Sequence, residues 1–599
     1  MNWSTVPDLT SRKSLLIAAL IVAAVSALAV GMASLDAFRH GVGDTDDAVR
    51  LVLVRELLAG HGWYHPEIAR LQAPWGALMH WSRLLDGAIA ALDLVFRIVL
   101  SPAQAELAAR AVWPLLWLFP AALSALAIAR RLGGSVALLA TAIFTPTSLA
   151  ALEQFRLGRV DHHNVQIVMV LTAAAAAIAG RDRPRAGLIA GLAGAFGLAV
   201  GSEGLVFHAL IGAWFAFGLL RDEAETQAAR RYGLALALGA LGFFLIQTPP
   251  RLWTISVCDT IGANLVVALL IAGLGLAGTS SLGRTRAVRF ALAGVTGVAA
   301  LGAYLAMNPN CLHGPMGGVQ PPVSDYINRV VEMASFSRAW LTQGPTSAAL
   351  ISGPALALVA SPFLLARRQR WRDPAWLLLV ALLGAGTVLT LLHVRMHAYP
   401  NWFALPVLGC AVADLAPLWR RLLTPTVLFT VLICPTNVAL AAMAIAAPLS
   451  GPARKAPDRP AGLDACFQAA AYADFARRAP GLVLSELDLG PYVLAYTPHA
   501  AMAGPYHRFR RGIGDSIRAF SLPPEAAQYY VRSLGVGYVV DCPGHADQFD
   551  RVQTGPRGLL AALDQGRAPS WLEPLSAPAD GLQVYRVQPA IAAKAPHSD

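Results

Sequence analysis

The sequence predicts a polytopic α-helical membrane protein that carries a small α/β domain at its C-terminal end, and three observations predict it. Of 599 residues, 56% are hydrophobic and only 14% charged, against roughly 25% charged in soluble proteins. Apolar stretches long enough to cross a bilayer recur up to about residue 448. Arginines gather in short loops between alternate stretches, the mark of cytoplasmic loops in multi-pass proteins.

Taken in order, the first stretch starts SLLIAALIVAAVSALAV at Ser14. Further apolar stretches follow it, so it reads as an anchor and not as a cleaved signal peptide. The others lie near 109–129, 132–149, 164–180, 186–202, 204–220, 231–248, 262–278, 290–306, 346–366, 375–393, 402–419 and 423–448, about thirteen crossings in all. Arg12 and Lys13 place the N-terminus inside, and the loops holding Arg130-Arg131, 181–185, 221–231, 284–289, 366–373 and Arg420-Arg421 then all fall on the cytoplasmic side. An odd number of crossings leaves the chain after residue 450 outside, in the periplasm of a bacterial inner membrane. The net charge of +11 belongs to these inner loops and not to a nucleic-acid surface, and no glycine-rich phosphate loop appears.

The chain thus divides into a membrane domain, 1–450, with long outer loops at 34–108, 150–163 and 307–345, and an outer domain, 451–599. A proline-containing linker from Leu449 to Pro460 joins them, and the tail after Pro589 reads as disordered. Strand-like GLVLSEL, AAMAGPYHR, GVGYVVDCP and LQVYRV alternate with helical PPEAAQYYVRSLG in the outer domain. Cys258, Cys311, Cys466 and Cys542 all map outside, which permits disulfides 258–311 and 466–542.

The outer loops hold the reactive residues. The stretch GDTDDAVRLVLVREL puts Asp44, Asp46 and Asp47 within four positions, serving as helix caps or as ligands. Farther along the same loop come His80, Trp81, Arg83 and Asp86, ahead of an amphipathic stretch that lies along the membrane surface. In GRVDHHN, Asp161 and His163 are two apart, so they meet on one ion only from a loop or a helix start. A carboxylate with an imidazole suits Mn²⁺ or Mg²⁺, and the acidic cluster supplies the further charge. Glu203, Glu332 and Arg395 with His393 and His397 are costly at membrane depth and so are functional candidates.

These motifs resemble those of the GT-C glycosyltransferases of single-subunit oligosaccharyltransferase type, whose architecture of thirteen crossings and an outer C-terminal domain is similar. TDDAV resembles the family's first metal motif and points to Asp47, with Asp44 and Asp46 as alternative registers. GRVDHHN resembles the second, which implies Asp161 and His163 as ligands. RVVEM resembles the motif of the outer-loop glutamate and nominates Glu332, and RMHAYPNWFAL nominates Arg395 for the donor phosphate, with His80 and Arg83 beside it. SELDLGPYVL resembles the sequon-reading WWDYG motif in Asp488, Gly490 and Tyr492 but lacks both tryptophans. His507 and Arg508, in a basic aromatic patch, face glycan or acceptor.

The resemblance implies an inverting transfer of a sugar or oligosaccharide from a polyprenyl-(di)phosphate donor, on the periplasmic side, with Mn²⁺ or Mg²⁺ and with membrane lipid as partner. Asp44, Asp46 or Glu332 would be the base for a hydroxyl acceptor. A metal-independent GT-C monosaccharide transferase acting on a lipid or polysaccharide is the alternative. A transporter would show an internal repeat, and none is evident.

Overall fold

The computed structural model describes residues 11–180, 183–221, 225–327, 333–416, 423–450, 463–543, 554–576 and 581–589. Helices occupy every one of the thirteen apolar stretches. They are α1 (Arg12–His40), α4 (Pro102–Leu116) leading into α5 (Leu118–Thr147), α6 (His163–Gly180), α7 (Pro184–Val200), α8 (Leu205–Arg221), α9 (Thr226–Gln247), α10 (Ala263–Leu282), α11 (Arg286–Met307), α12 (Thr346–Ala366), α13 (Pro374–Leu392), α14 (Ala398–Leu415), and the pair α15 (Leu423–Leu432) and α16 (Pro435–Ala446). Two more, α2 (Thr45–Leu58) and α3 (Arg83–Phe96), belong to the first outer loop.

By length and apolarity, eight described helices qualify as spans, or nine when α15 and α16, bent by 59°, count as one. The gap from thirteen has physical causes. α4 and α5 count as one span, Pro102–Thr147, within which Gly134 holds φ 73°, a left-handed conformation that glycine adopts freely, while α6 and α7 are apolar but short and α14, which carries Asn401 and Asp414, does not qualify. Their faces confirm the solvent: α11 exposes Phe290 (70%), Val295 (68%) and Val298 (75%), surfaces that only lipid tolerates together.

Bundle packing rests on small residues. A Cβ on Gly187 of α7 would sit 1.9 Å from the Ala228 carbonyl oxygen of α9, and one on Gly273 of α10 would sit 2.4 Å from that of Gly233. Lipid gives helices no hydrophobic drive to associate, so close backbone contact must supply the attraction. At the centre, α14 is buried almost throughout, and the Trp402 indole donates to the Ala151 carbonyl at 2.8 Å.

In the first outer loop β1 (Glu67–Ile68) pairs antiparallel with β2 (Ala77–Leu78), and the outer domain is built on a five-stranded sheet ordered β4-β3-β5-β7-β6, with β3 (Leu482–Ser485), β4 (Ala500–Ala501), β5 (Val536–Asp541), β6 (Leu572–Pro574) and β7 (Gln583–Val587). The β4–β3–β5 half is parallel and the rest antiparallel. Three helices named below cover it: α17 (Gly490–Tyr496), α18 (Arg510–Ser521) and α19 (Pro524–Ser533). Strand β6 was not expected, since its LEP carries too short a pattern to read. The two expected disulfides, Cys258–Cys311 and Cys466–Cys542, are both formed.

This sheet does not stand apart. Val49, Val52, Ile68, Leu71 and Trp81 of the first outer loop share one core with Val483, Tyr492, Ile513 and Val540 of the outer domain. Arg70 seals the joint by donating to the carbonyls of Leu494, Thr497 and His499 at the end of α17. A guanidinium there satisfies carbonyls that the helix leaves without partners.

Candidate functional site

Asp44 caps α2, its carboxylate accepting from the Asp46 backbone at 2.9 Å. The cap fixes the first turn, and Asp47 is carried inward to full burial. One oxygen of Asp47 accepts from the backbone N–H groups of Val160 (2.7 Å) and Asp161 (3.1 Å). The first and second outer loops are therefore stitched together at that carboxylate. Asp161 in turn accepts from the backbone of His163 at 2.9 Å and so caps the start of α6, the helix-start geometry that the two-residue spacing demanded.

Arg159 sits among these acids, donating to Asp44 at 2.6 Å, Asp47 at 3.2 Å and Asp161 at 2.6 Å. On the other side, His163 Nδ1 donates to Glu203 at 2.9 Å, and its Nε2 lies 3.7 Å from an Asp161 oxygen. Arg395 bonds to the same Glu203 and lies 3.2 Å from that Nε2. Glu203 thus orients both the imidazole and the guanidinium, the usual task of a carboxylate behind a histidine ligand.

Burial and the nearby Asp161 and Asp44 carboxylates push the Asp47 carboxyl up to about 7, against the pull of Arg159. Asp161 is also buried, yet Arg159 and the two histidines hold it below the ordinary carboxylate range. Burial holds His162 neutral, down to about 3. One guanidinium does not neutralise this group of acids.

Two sets of donors lie within 4.8 Å of one another here: Asp46, Asp161 and His163, and His162, His163 and Glu203. Oxygen and imidazole donors carrying surplus negative charge fit a divalent cation. Asp46, and not Asp47, is grouped with Asp161 and His163, while Asp47 ties the loops together through Val160 and Asp161.

No protein-family model matches the chain, and no curated protein matches it. Solved structures do. An Archaeoglobus fulgidus oligosaccharyltransferase tethered to an acceptor peptide containing the NVT sequon aligns over 97% of this chain and 75% of its own, at 14% identity and a TM-score of 0.65. The archaeal oligosaccharyltransferase AglB of the same organism, with an inhibitory peptide and a dolichol-phosphate, aligns over 87% and 69% at 15% identity and 0.63. The chain has the oligosaccharyltransferase fold.

Within that fold the other expected residues take varied places. His80 stacks edge-on against His507 at 4.8 Å between ring centroids, and burial holds it well below the usual imidazole range. Arg83, expected at the donor phosphate, is 2% exposed instead and donates to Asp86 (3.1 Å) and to the Trp63 carbonyl. Arg50 takes the other oxygen of Asp86 at 2.5 Å while lying over the Trp81 ring, so this ion triad holds the His80–Trp81 turn in place. Glu332 lies outside the described residues.

Asp488 accepts from the Tyr326 hydroxyl at 3.1 Å, whereas Tyr492 is 4% exposed in the shared core, packed on Phe467. Burial turns Tyr492 toward packing rather than toward an acceptor. His507 and Arg508 both bond to Asp259, at 2.6 Å and twice at 2.7 Å. Sequence reading missed Asp259, although it follows a cysteine already placed in an outer disulfide. With Tyr506 donating to the Thr45 carbonyl at 3.0 Å, residues 506–508 form a roof over His80 and the first turn of α2.

Proposed function

We propose that the protein is a membrane glycosyltransferase that moves a sugar or oligosaccharide from a polyprenyl-(di)phosphate donor to an acceptor at the outer face of a bacterial inner membrane. The observation that carries this reading is the convergence of Asp47, Asp161 and His163 on one side of Glu203 and of Arg395 on the other. Dolichol-phosphate in the AglB complex supports a polyprenyl phosphate donor. The six arginine loops, read as cytoplasmic, support a periplasmic position for this cluster.

Asp46, Asp161 and His163 would hold Mn²⁺ or Mg²⁺, with Asp47 in reserve from the neighbouring register. A bound cation supplies neutralisation of charge developing on the leaving phosphate. The chain's own residues do the rest. Arg395, steadied by Glu203, gives the phosphate a second positive contact, and His80 and His162 line its approach. A neighbouring carboxylate, Asp44, takes the proton of a hydroxyl acceptor as that oxygen attacks the anomeric carbon and inverts it. The acceptor reading stays open to peptide, lipid and polysaccharide, because the sequon-reading tryptophans are absent.

The test is Mn²⁺ binding to the purified protein by electron paramagnetic resonance, wild type beside Asp47→Ala/Asp161→Ala. Specific binding that vanishes in the variant, together with lost transfer from lipid-linked donors, is the expected outcome. Transfer that persists in the variant would sink the reading.

Arg159 favours a second version. Its guanidinium already bridges three acids, which suits a metal-independent transferase with Asp47, raised to about 7, as base. Chelation separates the two, since only the first stops in excess EDTA.

A further inference from the structure

We propose that the end of the bundle opposite the carboxylate site binds the phosphodiester headgroup of an anionic phospholipid. Helix α14 starts just after Arg395 and ends at Leu415, roughly 25–30 Å away. There a cavity of about 500 Å³ opens, lined by Leu132, Gln369, Arg370, Arg372, Asp373 and Trp376. Arg370 and Arg372 line it, and among the described residues Arg131 and Arg367 pair with the nearby carboxylates of Asp373 and Asp414.

Both acids are already engaged. Asp414 takes a two-pronged contact from Arg370 at 2.5 and 2.7 Å, and Asp373 caps α13 while lying 3.8 Å from Arg131. Arg372 has no carboxylate partner among the described residues. Its guanidinium lies over the Trp371 ring at 4.8 Å, just as that of Arg370 lies over Trp376 at 4.8 Å. Stacking fixes the plane of a guanidinium and keeps its N–H edge for an oxyanion.

Backbone conformation adds an independent sign. Gln369, on the cavity wall, holds φ 51°, a left-handed value that a residue with a Cβ adopts only under strain. Such strain gathers where a ligand must be clasped. The choice of a lipid over a soluble anion follows from the rim. Trp371 is 52% exposed and Phe363, on the preceding helix α12, is 74% exposed, so headgroup-level aromatic and acyl-level surface adjoin the cations.

Native mass spectrometry of the full-length protein tests this, with phosphatidylglycerol and phosphatidylcholine as probes. The wild type should retain phosphatidylglycerol preferentially. Arg372→Ala should weaken that retention about fivefold and Arg372→Glu about 25-fold, with phosphatidylcholine unaffected. Arg372 is exposed, and unchanged melting of both variants shows that the fold survives. Equal retention of the two lipids, or retention unaltered by Arg372→Glu, would overturn the site and leave the arginines as topological signals only. Displacement of phosphatidylglycerol by millimolar inorganic phosphate would overturn the lipid as occupant.

Discussion

Asp259 shows what one side chain contributes at the outer face. It accepts three bonds from His507 and Arg508, and these contacts hold it below the ordinary carboxylate range despite its burial. Asp259→Asn should therefore lower stability by about 1–3 kcal/mol at neutral pH, measured by thermal unfolding. The sign with pH follows: a depressed carboxylate contributes fully above its unfolded pKa and loses that contribution as pH falls through the folded value. The gap between wild type and variant should shrink below about pH 4; a gap independent of pH would show that packing, not charge, joins roof to loop. The contrast with Asp161 marks the limit of sequence reading. Asp161 and His163 announce themselves by local spacing, whereas Asp259 acquires meaning only from partners near residue 507, and a single chain shows no such pairing. Arg83 misled for the same reason, since its value to Asp86 depends on Arg50 across the turn.

At the scale of elements, glycines set how near the helices come. Gly187 and Gly191 of α7 face the α9 backbone with no room for a Cβ, while Gly294 and Gly297 of α11 have nothing within 4 Å. Gly191→Leu should cost about 1–3 kcal/mol through overpacking and lower the melting temperature and yield in detergent. Gly294→Leu should do neither, and equal effects at both sites would refute the contact. Hydrophobic runs made every one of the thirteen helical stretches legible, because lipid demands a continuous apolar surface and internally satisfied backbone. Breaks were less legible. Gly134 sits in a Gly-Gly pair that a helix tolerates, so the pair alone does not announce its φ of 73°.

For the whole molecule, the parts expected on either side of residue 450 meet in space. The outer sheet and the first outer loop share one hydrophobic core, and the isolated bridge Leu71–Ala501 runs between them. Removing the chain after residue 450 should expose that core, so the truncated protein should lose expression and not merely activity. A truncation that remains monodisperse by size-exclusion chromatography would show that the loop folds alone.

That shared core also orders events in time. Leu71 and Ala501 are 501 − 71 = 430 positions apart, and synthesis at 5–20 residues per second separates them by roughly 20–90 s. Through that interval the acidic first loop waits with its apolar side open. The nascent protein cannot complete this core until almost all of its helices have been made, and during the wait its first loop is a natural client for a chaperone.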